Sequence, residues 1–336
     1  MQEVKLIKKV LDLYITDYCN MNCKHCYNDV KIKKKLNIEQ IKIIINKTEK
    51  FYKNELETIN LLGGEPFSHE EFYSIIKYCS KFAKVNTSTN ATYILNTPIK
   101  ILSKLNYIQL SVESMKEEIA DYYREKGFYR NLIKSAEYLN NNNIKFGFKI
   151  TVTKDNFENI EKDFYEMKEL GAKKVSLSRM IPIGNGEKIR NKLITDKEFE
   201  IVVKKALLFM IKNNIEVDMS DGIWTCLVDE KLGKFKNQKL EKGGCSAGLG
   251  GITIIPNGDI MICRRLPIVI GNIFKCKDIA DIYYDNELVK NLYNRNFSGK
   301  CGRCNKKQVC GGGCRAYVMA TKENALADDD LCFLSN

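Results

Sequence analysis

Nine of the thirteen cysteines in this 336-residue chain lie beyond residue 215, and three of the other four crowd into eight residues near the start. The early group sits in "TDYCNMNCKHCYND", where Cys19, Cys23 and Cys26 are spaced C-x3-C-x2-C. The late group runs Cys245, twelve residues, Gly258, four residues, Cys263. It continues as Cys301-x2-Cys304-x5-Cys310-x3-Cys314, followed after seventeen residues by Cys332. Any fold must carry these thiols into shared sites, which restricts the loops before anything else. The opening MQEVKLIKKVLDLYI has neither an apolar core of about 7–15 residues nor a small-residue cleavage site, so no signal peptide is expected. No run reaches the roughly 18 apolar residues of a membrane span. The expected compartment is the reducing cytoplasm, where such spacings indicate metal or cluster ligation rather than disulfides. His25 and His69 are the only histidines. The donor set is therefore nearly all sulfur, which suits iron–sulfur clusters or zinc.

The net charge of +12 is concentrated in runs such as KIKKK at 31–35 and the Lys-rich stretch 231–242. A basic balance suits nucleic acid, an acidic peptide partner, or a Lys-rich proteome. No nucleic-acid motif accompanies the charge, so nucleic acid is not the expected partner.

Residues 10–215 alternate between strand-like and helix-like patterns. The strand-like runs are VLDLYI (10–15), TINLLG (58–63), KVNTST (84–89), YIQLSV (107–112), FGFKITV (146–152) and KVSLSRMI (174–181). Between them, Ile38, Ile41, Ile44, Ile45, Thr48 and Phe51 follow helical spacing. Asn37 with Gln40 and Thr195 with Glu198 read as capping boxes. Thr97-Pro98 reads as an N-cap followed by a first-turn proline. Gly171 reads as a helix stop. Six strands alternating with helices imply parallel βα units and an α/β fold, a partial (β/α)6 barrel over 1–215. A second, cysteine-rich domain is expected over 216–336. Functional groups of such a sheet sit beyond the C-terminal strand ends, where the loop of Cys19, Cys23 and Cys26 falls.

A four-iron cluster takes four thiolates. Three in one loop leave an iron open, as a catalytic metal keeps an open position. The missing ligand is then a substrate or cofactor. The alternative for three clustered cysteines is part of a zinc site. C-x3-C-x2-C followed by an aromatic residue, Tyr27, directly after the first strand resembles the radical S-adenosylmethionine (SAM) superfamily. The resemblance implies that Cys19, Cys23 and Cys26 hold a [4Fe–4S] cluster whose open iron chelates S-adenosylmethionine. Cleavage then yields a 5′-deoxyadenosyl radical that abstracts a hydrogen atom from substrate. "GGEP" (Gly63, Gly64, Glu65, Pro66) after the second strand matches the family's methionine-binding motif, with Glu65 accepting from the ammonium. "STN" (88–90), ending in Asn90, is close to the family's TN(G). Ser111 and Arg124 match positions that contact ribose and carboxylate. The Tyr27 backbone is placed to meet the adenine, with Met180 and Ile181 packing on it. His25 reads as solvent-facing filler and Cys79 as a core residue.

Between Cys245 and Cys263, ITIIPNGDIMI is a hairpin signal in which Asn257-Gly258 supplies two positive-φ positions. The seven late cysteines resemble the SPASM domain, an extension of radical SAM enzymes that carries two auxiliary [4Fe–4S] clusters. The resemblance assigns Cys245, Cys263 and Cys314 to the first cluster and Cys301, Cys304, Cys310 and Cys332 to the second. Zinc ribbons are the alternative for C-x2-C-x5-C-x3-C. Cys226, in DGIWTCLVD, is the candidate fourth ligand of the first cluster, a candidate thiol hydrogen donor, or a buried structural thiol. Cys276 is structural or a reserve ligand.

Together the two resemblances imply three clusters, S-adenosylmethionine and a reductant such as flavodoxin or ferredoxin. They imply a maturase that modifies a ribosomally made peptide or protein. The outcome is a thioether, carbon–carbon or ether cross-link, a formylglycine, or an epimerised residue. Formylglycine-forming relatives carry an Asp base directly after the second cluster-one cysteine. Here that position is Arg264, followed by Arg265, which disfavours that chemistry. The short stretch before the first strand is expected to hold no fused peptide-recognition domain. A leader peptide then binds elsewhere or to a separate recognition protein, and the basic surface suits an acidic one. Two other classes remain: a non-catalytic iron–sulfur electron carrier, which gains nothing from an open iron, and an RNA-modifying radical enzyme, whose binding would be salt-sensitive.

Overall fold

Side chains along a strand alternate between its two faces. In β4 (Tyr107–Val112), Ile108, Leu110 and Val112 are fully buried while Tyr107, Gln109 and Ser111 are only partly so. The same alternation marks β1 (Val10–Thr16), β2 (Thr58–Gly63), β3 (Lys84–Thr89) and β5 (Phe146–Val152). A parallel sheet covered on both faces would read as continuous apolar runs. This one is apolar only where helices cover it, and its other face is a polar lumen. The computed structural model describes residues 6–28, 33–219, 221–232 and 244–334. Most of the lysine runs at 31–35 and 231–242 lies outside the described residues.

Strands β1 to β6 (β6 is Lys174–Arg179) pair in parallel, each with the next. This is the expected partial barrel. The sheet runs on at both edges. β7 (Glu216–Met219) falls past residue 215 yet pairs parallel with β6. β8 (Ile252–Ile254) docks in parallel on the free edge of β1. It turns through a hairpin into β9 (Asp259–Met261), and β10 (Val269–Asn272) completes the antiparallel flap. The cysteine-rich region is thus hydrogen-bonded into the barrel sheet. The Tyr52 hydroxyl reinforces the seam, lying 2.9 Å from the Val10 carbonyl and 2.6 Å from that of Gly250.

Local signals explain most helix ends. Asn37 caps helix Ile38–Phe51, accepting from the Gln40 amide at 2.9 Å, and the Gln40 side chain reaches back at 3.0 Å. Thr195 and Glu198 form the same box before helix Asp196–Asn213. Gly171, at φ +92°, follows helix Ile160–Glu169. Two turn expectations need correction. Thr97 closes a preceding 3-10 turn, and Pro98 itself is the cap of the short helix Ile99–Leu102. Only Gly258 (φ +87°), not Asn257, is in the left-handed region, because the hairpin connection is longer than a two-residue turn. Among the described residues no helix is long and apolar enough to cross a membrane.

Candidate functional site

The loop after β1 carries Cys19, Cys23 and Cys26, and the turn after β2 packs directly onto it. The Gly64 amide donates to the Thr16 carbonyl and the Glu65 amide to that of Tyr18, both at 2.8 Å. A Cβ on Gly64 would lie 2.1 Å from the Tyr18 oxygen, so only glycine permits this approach. The loop after β6 closes from the other side, where the Asn185 amide donates to the Cys26 carbonyl at 2.9 Å. The three thiols line one cavity with Tyr14, Tyr27, Gly63, Gly64, Glu65, Ser88, Asn90, Gln109, Ser111, Arg124 and Ile181. Of the residues singled out from sequence, Met180 is buried but does not line this cavity, and Pro66 begins the 3-10 turn beneath it.

Glu65 is fully inside. Its carboxylate accepts from Thr89 Oγ1 (2.7 Å), the Asn90 amide (2.8 Å) and the Phe67 amide (3.2 Å). Burial nevertheless pushes its pKa up to about 7. Asn90 Nδ2 lies 3.8 Å from the Cys19 sulfur and 2.9 Å from Asn20 Oδ1. Arg124, at the C-terminal cap of helix Glu117–Tyr123, spends its fork on Glu113, with Nε and Nη2 at 2.7 and 2.8 Å. Its remaining Nη1 lies 3.9 Å from the Cys23 sulfur. His25 completes this group with Nε2 3.1 Å from Glu113, its side chain 10 % exposed. It is therefore not solvent-facing filler: the loop turns it inward against a buried carboxylate. Burial opposes the Glu113 charge, yet Arg124 and His25 hold its pKa down at about 2.

Three features test whether a four-iron cluster fits. The thiols share one cavity wall. Burial pushes Cys23 up to about 12, and Cys19 and Cys26 also upward, so their thiolates need a cationic centre beside them. Asn90 Nδ2 and Arg124 Nη1 set donors 3.8 and 3.9 Å from two of the sulfurs, as anionic thiolate ligands need. The residues fit a cluster that spreads across the cavity.

The sequence pattern of the Radical SAM superfamily matches residues 13–178, which include the three cysteines, Gly63 to Pro66, Asn90, Ser111, Glu113 and Arg124. The AdoMet-dependent heme synthase of Methanosarcina barkeri is 25% identical over 95% of this chain and 94% of its own. The subtilosin biosynthesis protein AlbA of Bacillus subtilis is 25% identical over 95% of this chain and 69% of its own. This chain is a radical SAM enzyme. Its fold matches Streptococcus suis SuiB bound to precursor peptide SuiA with a TM-score of 0.77. That match is 20% identical and covers 98% of this chain and 76% of SuiB. The C-terminal part of this radical SAM enzyme is accordingly the cysteine-rich, SPASM-like extension.

In that extension Cys301, Cys304, Cys310 and Cys332 ring one small apolar cavity. Cys245, Cys263 and Cys314 line another with Arg264 and Arg265. Each of the two groups of thiols that the resemblance implies lines a cavity of its own. Cys226, on helix Gly222–Leu232, is buried, as the structural-thiol alternative has it. It lines neither the three-thiol cavity nor the one around Cys19, although its neighbours Trp224 and Thr225 line the former. Its thiol bonds to Cys310, and this bond together with burial pushes the Cys310 thiol up. Cys276 lies at a surface groove away from the other thiols, and Cys79 is fully buried core.

Arg179, ending β6, was not foreseen. It is buried, forks onto Asp329 at 2.9 and 2.6 Å, and reaches Asp221 at 2.6 Å. Asp329 in turn accepts from the Cys314 amide at 3.0 Å. Glu113 and Lys149 were also missed. The signal was a charged residue in an otherwise apolar strand context, "LSVES" and "FGFKITV".

Proposed function

We propose that this radical SAM enzyme is a maturase of ribosomally made peptides or proteins that installs a cross-link of thioether, carbon–carbon or ether type. The observation that carries the reading is one cavity shared by both halves of the chain. Arg264 and Arg265, which follow Cys263, line the same recess as Cys19, Cys23 and Cys26. The cysteine-rich extension therefore faces the space in which a substrate meets the cofactor.

In this reading Cys19, Cys23 and Cys26 hold a [4Fe–4S] cluster, and Gly63, Gly64, Glu65, Asn90, Ser111 and Tyr27 cradle S-adenosylmethionine. When bound, these groups supply one-electron cleavage of the sulfonium and abstraction of a hydrogen atom from substrate. Glu65 offers its carboxylate to an ammonium, and the Thr89 and Asn90 donors hold it in place. Arg124, already committed to Glu113, sets a positive field beside Cys23 rather than a free fork for a carboxylate. The second cluster set is Cys301, Cys304, Cys310 and Cys332, and the first is Cys245, Cys263 and Cys314. The names of AlbA and SuiB's bound precursor support a peptide substrate. Arg264, at the position where formylglycine-forming relatives carry an Asp base, disfavours that chemistry. Cys226 is not among the residues that line the radical recess, which favours a cross-link over epimerisation with Cys226 as hydrogen donor.

A second reading is a tetrapyrrole-like polycarboxylate as substrate. It is favoured by the heme synthase match, which covers 94% of that protein. The deciding experiment is anaerobic incubation with S-adenosylmethionine and dithionite. 5′-Deoxyadenosine should form, and a peptide substrate should lose hydrogen mass. A protein that holds iron yet forms no 5′-deoxyadenosine would refute the radical reading.

A further inference from the structure

The lumen of the barrel carries more positive charge than the chain itself neutralises. One wall is a ladder of amides: Asn60 Nδ2 donates to Asp12 Oδ1 (2.7 Å), Asn86 Nδ2 to Asn60 Oδ1 (3.2 Å) and Asn106 Nδ2 to Asn86 Oδ1 (2.9 Å). Facing the lumen from β5, in register with Gly147 and Thr151, is Lys149. Arg264 enters from the loop after β9. Both side chains line the recess of Cys19, Cys23 and Cys26, and both line the adjoining recess at the opposite ends of the strands. They stand at the junction of the two spaces. Arg265 also lines the first recess.

Among the described residues neither Lys149 nor Arg264 makes a hydrogen bond or ion pair. The anionic groups facing them are Asp12, already held by Asn60, Asp218 and the Cys263 thiol next to Arg264, together with the phenols of Tyr14 and Tyr27. Burial and the two guanidiniums push the Lys149 ammonium well below its ordinary value. Both side chains keep partial exposure to the recesses, and an anion between them would offset the mutual repulsion of the two cations. An arginine fork beside a lysine matches a carboxylate, because the fork binds both oxygens and the ammonium adds a point charge.

The geometry points to an anion post, formed by Lys149 and Arg264, that receives an aliphatic carboxylate of the substrate inside the lumen. This rests on the radical maturase reading only in calling the ligand a substrate. A carboxylate held at the junction fixes the chain on either side of it: one side faces the recess of Glu65 and Asn90, the other the outer opening. The post therefore selects an acidic side chain, or the carboxylate arm of a macrocycle, near the carbon that reacts.

The test uses the reconstituted enzyme with S-adenosylmethionine and ligand-observed saturation-transfer NMR. The probes are N-acetyl-glutamate α-amide and its neutral isostere, N-acetyl-glutamine α-amide. The glutamate probe should bind at least fivefold more tightly, and less so at high salt. Lys149→Met and Arg264→Met should each weaken it at least fivefold, while Lys149→Arg and Arg264→Lys retain it. Equal binding of the two probes by wild type overturns the post, whether or not any variant folds. So does wild-type affinity in an iron-replete Lys149→Met/Arg264→Met protein. An acidic pentapeptide and a tetracarboxylate porphyrin, run in the same way, separate the sources. Tighter binding of either that is lost in the Met variants supports the post and assigns the source, and no such loss for both overturns it. 5′-Deoxyadenosine formation by wild type is measured alongside. Its failure would sink the radical reading and leave the carboxylate discrimination standing.

Discussion

Gly64 shows how much of the site rests on single atoms. Its missing Cβ is what lets the turn after β2 touch the Tyr18 backbone, and backbone cannot swing aside as a flexible side chain does. Gly64→Ala should displace the cysteine loop, so that reconstituted protein carries about four fewer irons and forms no 5′-deoxyadenosine. Gly251→Ala, where an added Cβ meets nothing within 4 Å, is the matched control and should keep both. Asp163 is a different kind of residue, buried outside the site. Its Oδ1 accepts from Ser114 Oγ (3.2 Å) and the Met115 amide (3.0 Å), while Oδ2 has no partner. Burial raises its pKa from 3.8 to about 6. A raised carboxyl pKa means the folded state holds the proton more tightly than the unfolded state. Its stabilising contribution is then full below about pH 4 and is lost as pH rises through about 6. Asp163→Asn keeps the acceptor and removes the titration. Urea midpoints should show the variant gaining about 1 kcal/mol on wild type between pH 5 and 7.5. A constant difference across that range would rule out titration of Asp163.

At the scale of elements, Arg179 is the pin between β6, β7 and the C-terminal segment. Phe199 and Tyr317 flank its guanidinium, 4.9 and 4.8 Å from the ring centres. Removing it leaves Asp221 and Asp329 buried with no cation between them, a loss of about 3–5 kcal/mol for a broken buried pair. Arg179→Met should lower the thermal midpoint. It should also lower iron content, since Asp329 positions the Cys314 amide; an unchanged iron load would show that Cys314 needs no such support. The strands and capped helices were legible in the sequence because their signals are local. Alternation in YIQLSV and the Asn37–Gln40 box need no distant partner. The cysteine loop and GGEP were legible for the same reason. The docking of β8 on β1 was not, because a three-residue strand leaves almost no pattern and pairs with residues far away in sequence. The triad of His25, Glu113 and Arg124 was hidden likewise. Glu113 and Arg124 are 11 residues apart, and only a strand end facing a helix cap brings them together around Cys23.

For the whole molecule, the continuous ten-stranded sheet means that the barrel and the cysteine-rich extension share one scaffold, with their thiols in three separate cavities. Under the proposed ligation, anaerobically reconstituted wild type should hold about twelve irons, from three four-iron clusters. Changing Cys19, Cys23 and Cys26 together to Ala should remove about four of them and all 5′-deoxyadenosine formation. Changing Cys301 and Cys310 together should remove about four others and leave S-adenosylmethionine binding intact, because that ring lies apart from the radical recess. Tightly bound zinc alongside about four irons would turn the extension into a zinc domain instead. Cys226 is the discriminating residue. It lines neither auxiliary cavity and bonds to Cys310, a contact that a serine hydroxyl preserves. Cys226→Ser should therefore keep the full iron load and the wild-type paramagnetic resonance of the reduced auxiliary clusters. Loss of about four irons, or a shifted auxiliary signal, would make Cys226 a cluster ligand and show that helix Gly222–Leu232 turns when the clusters are in place.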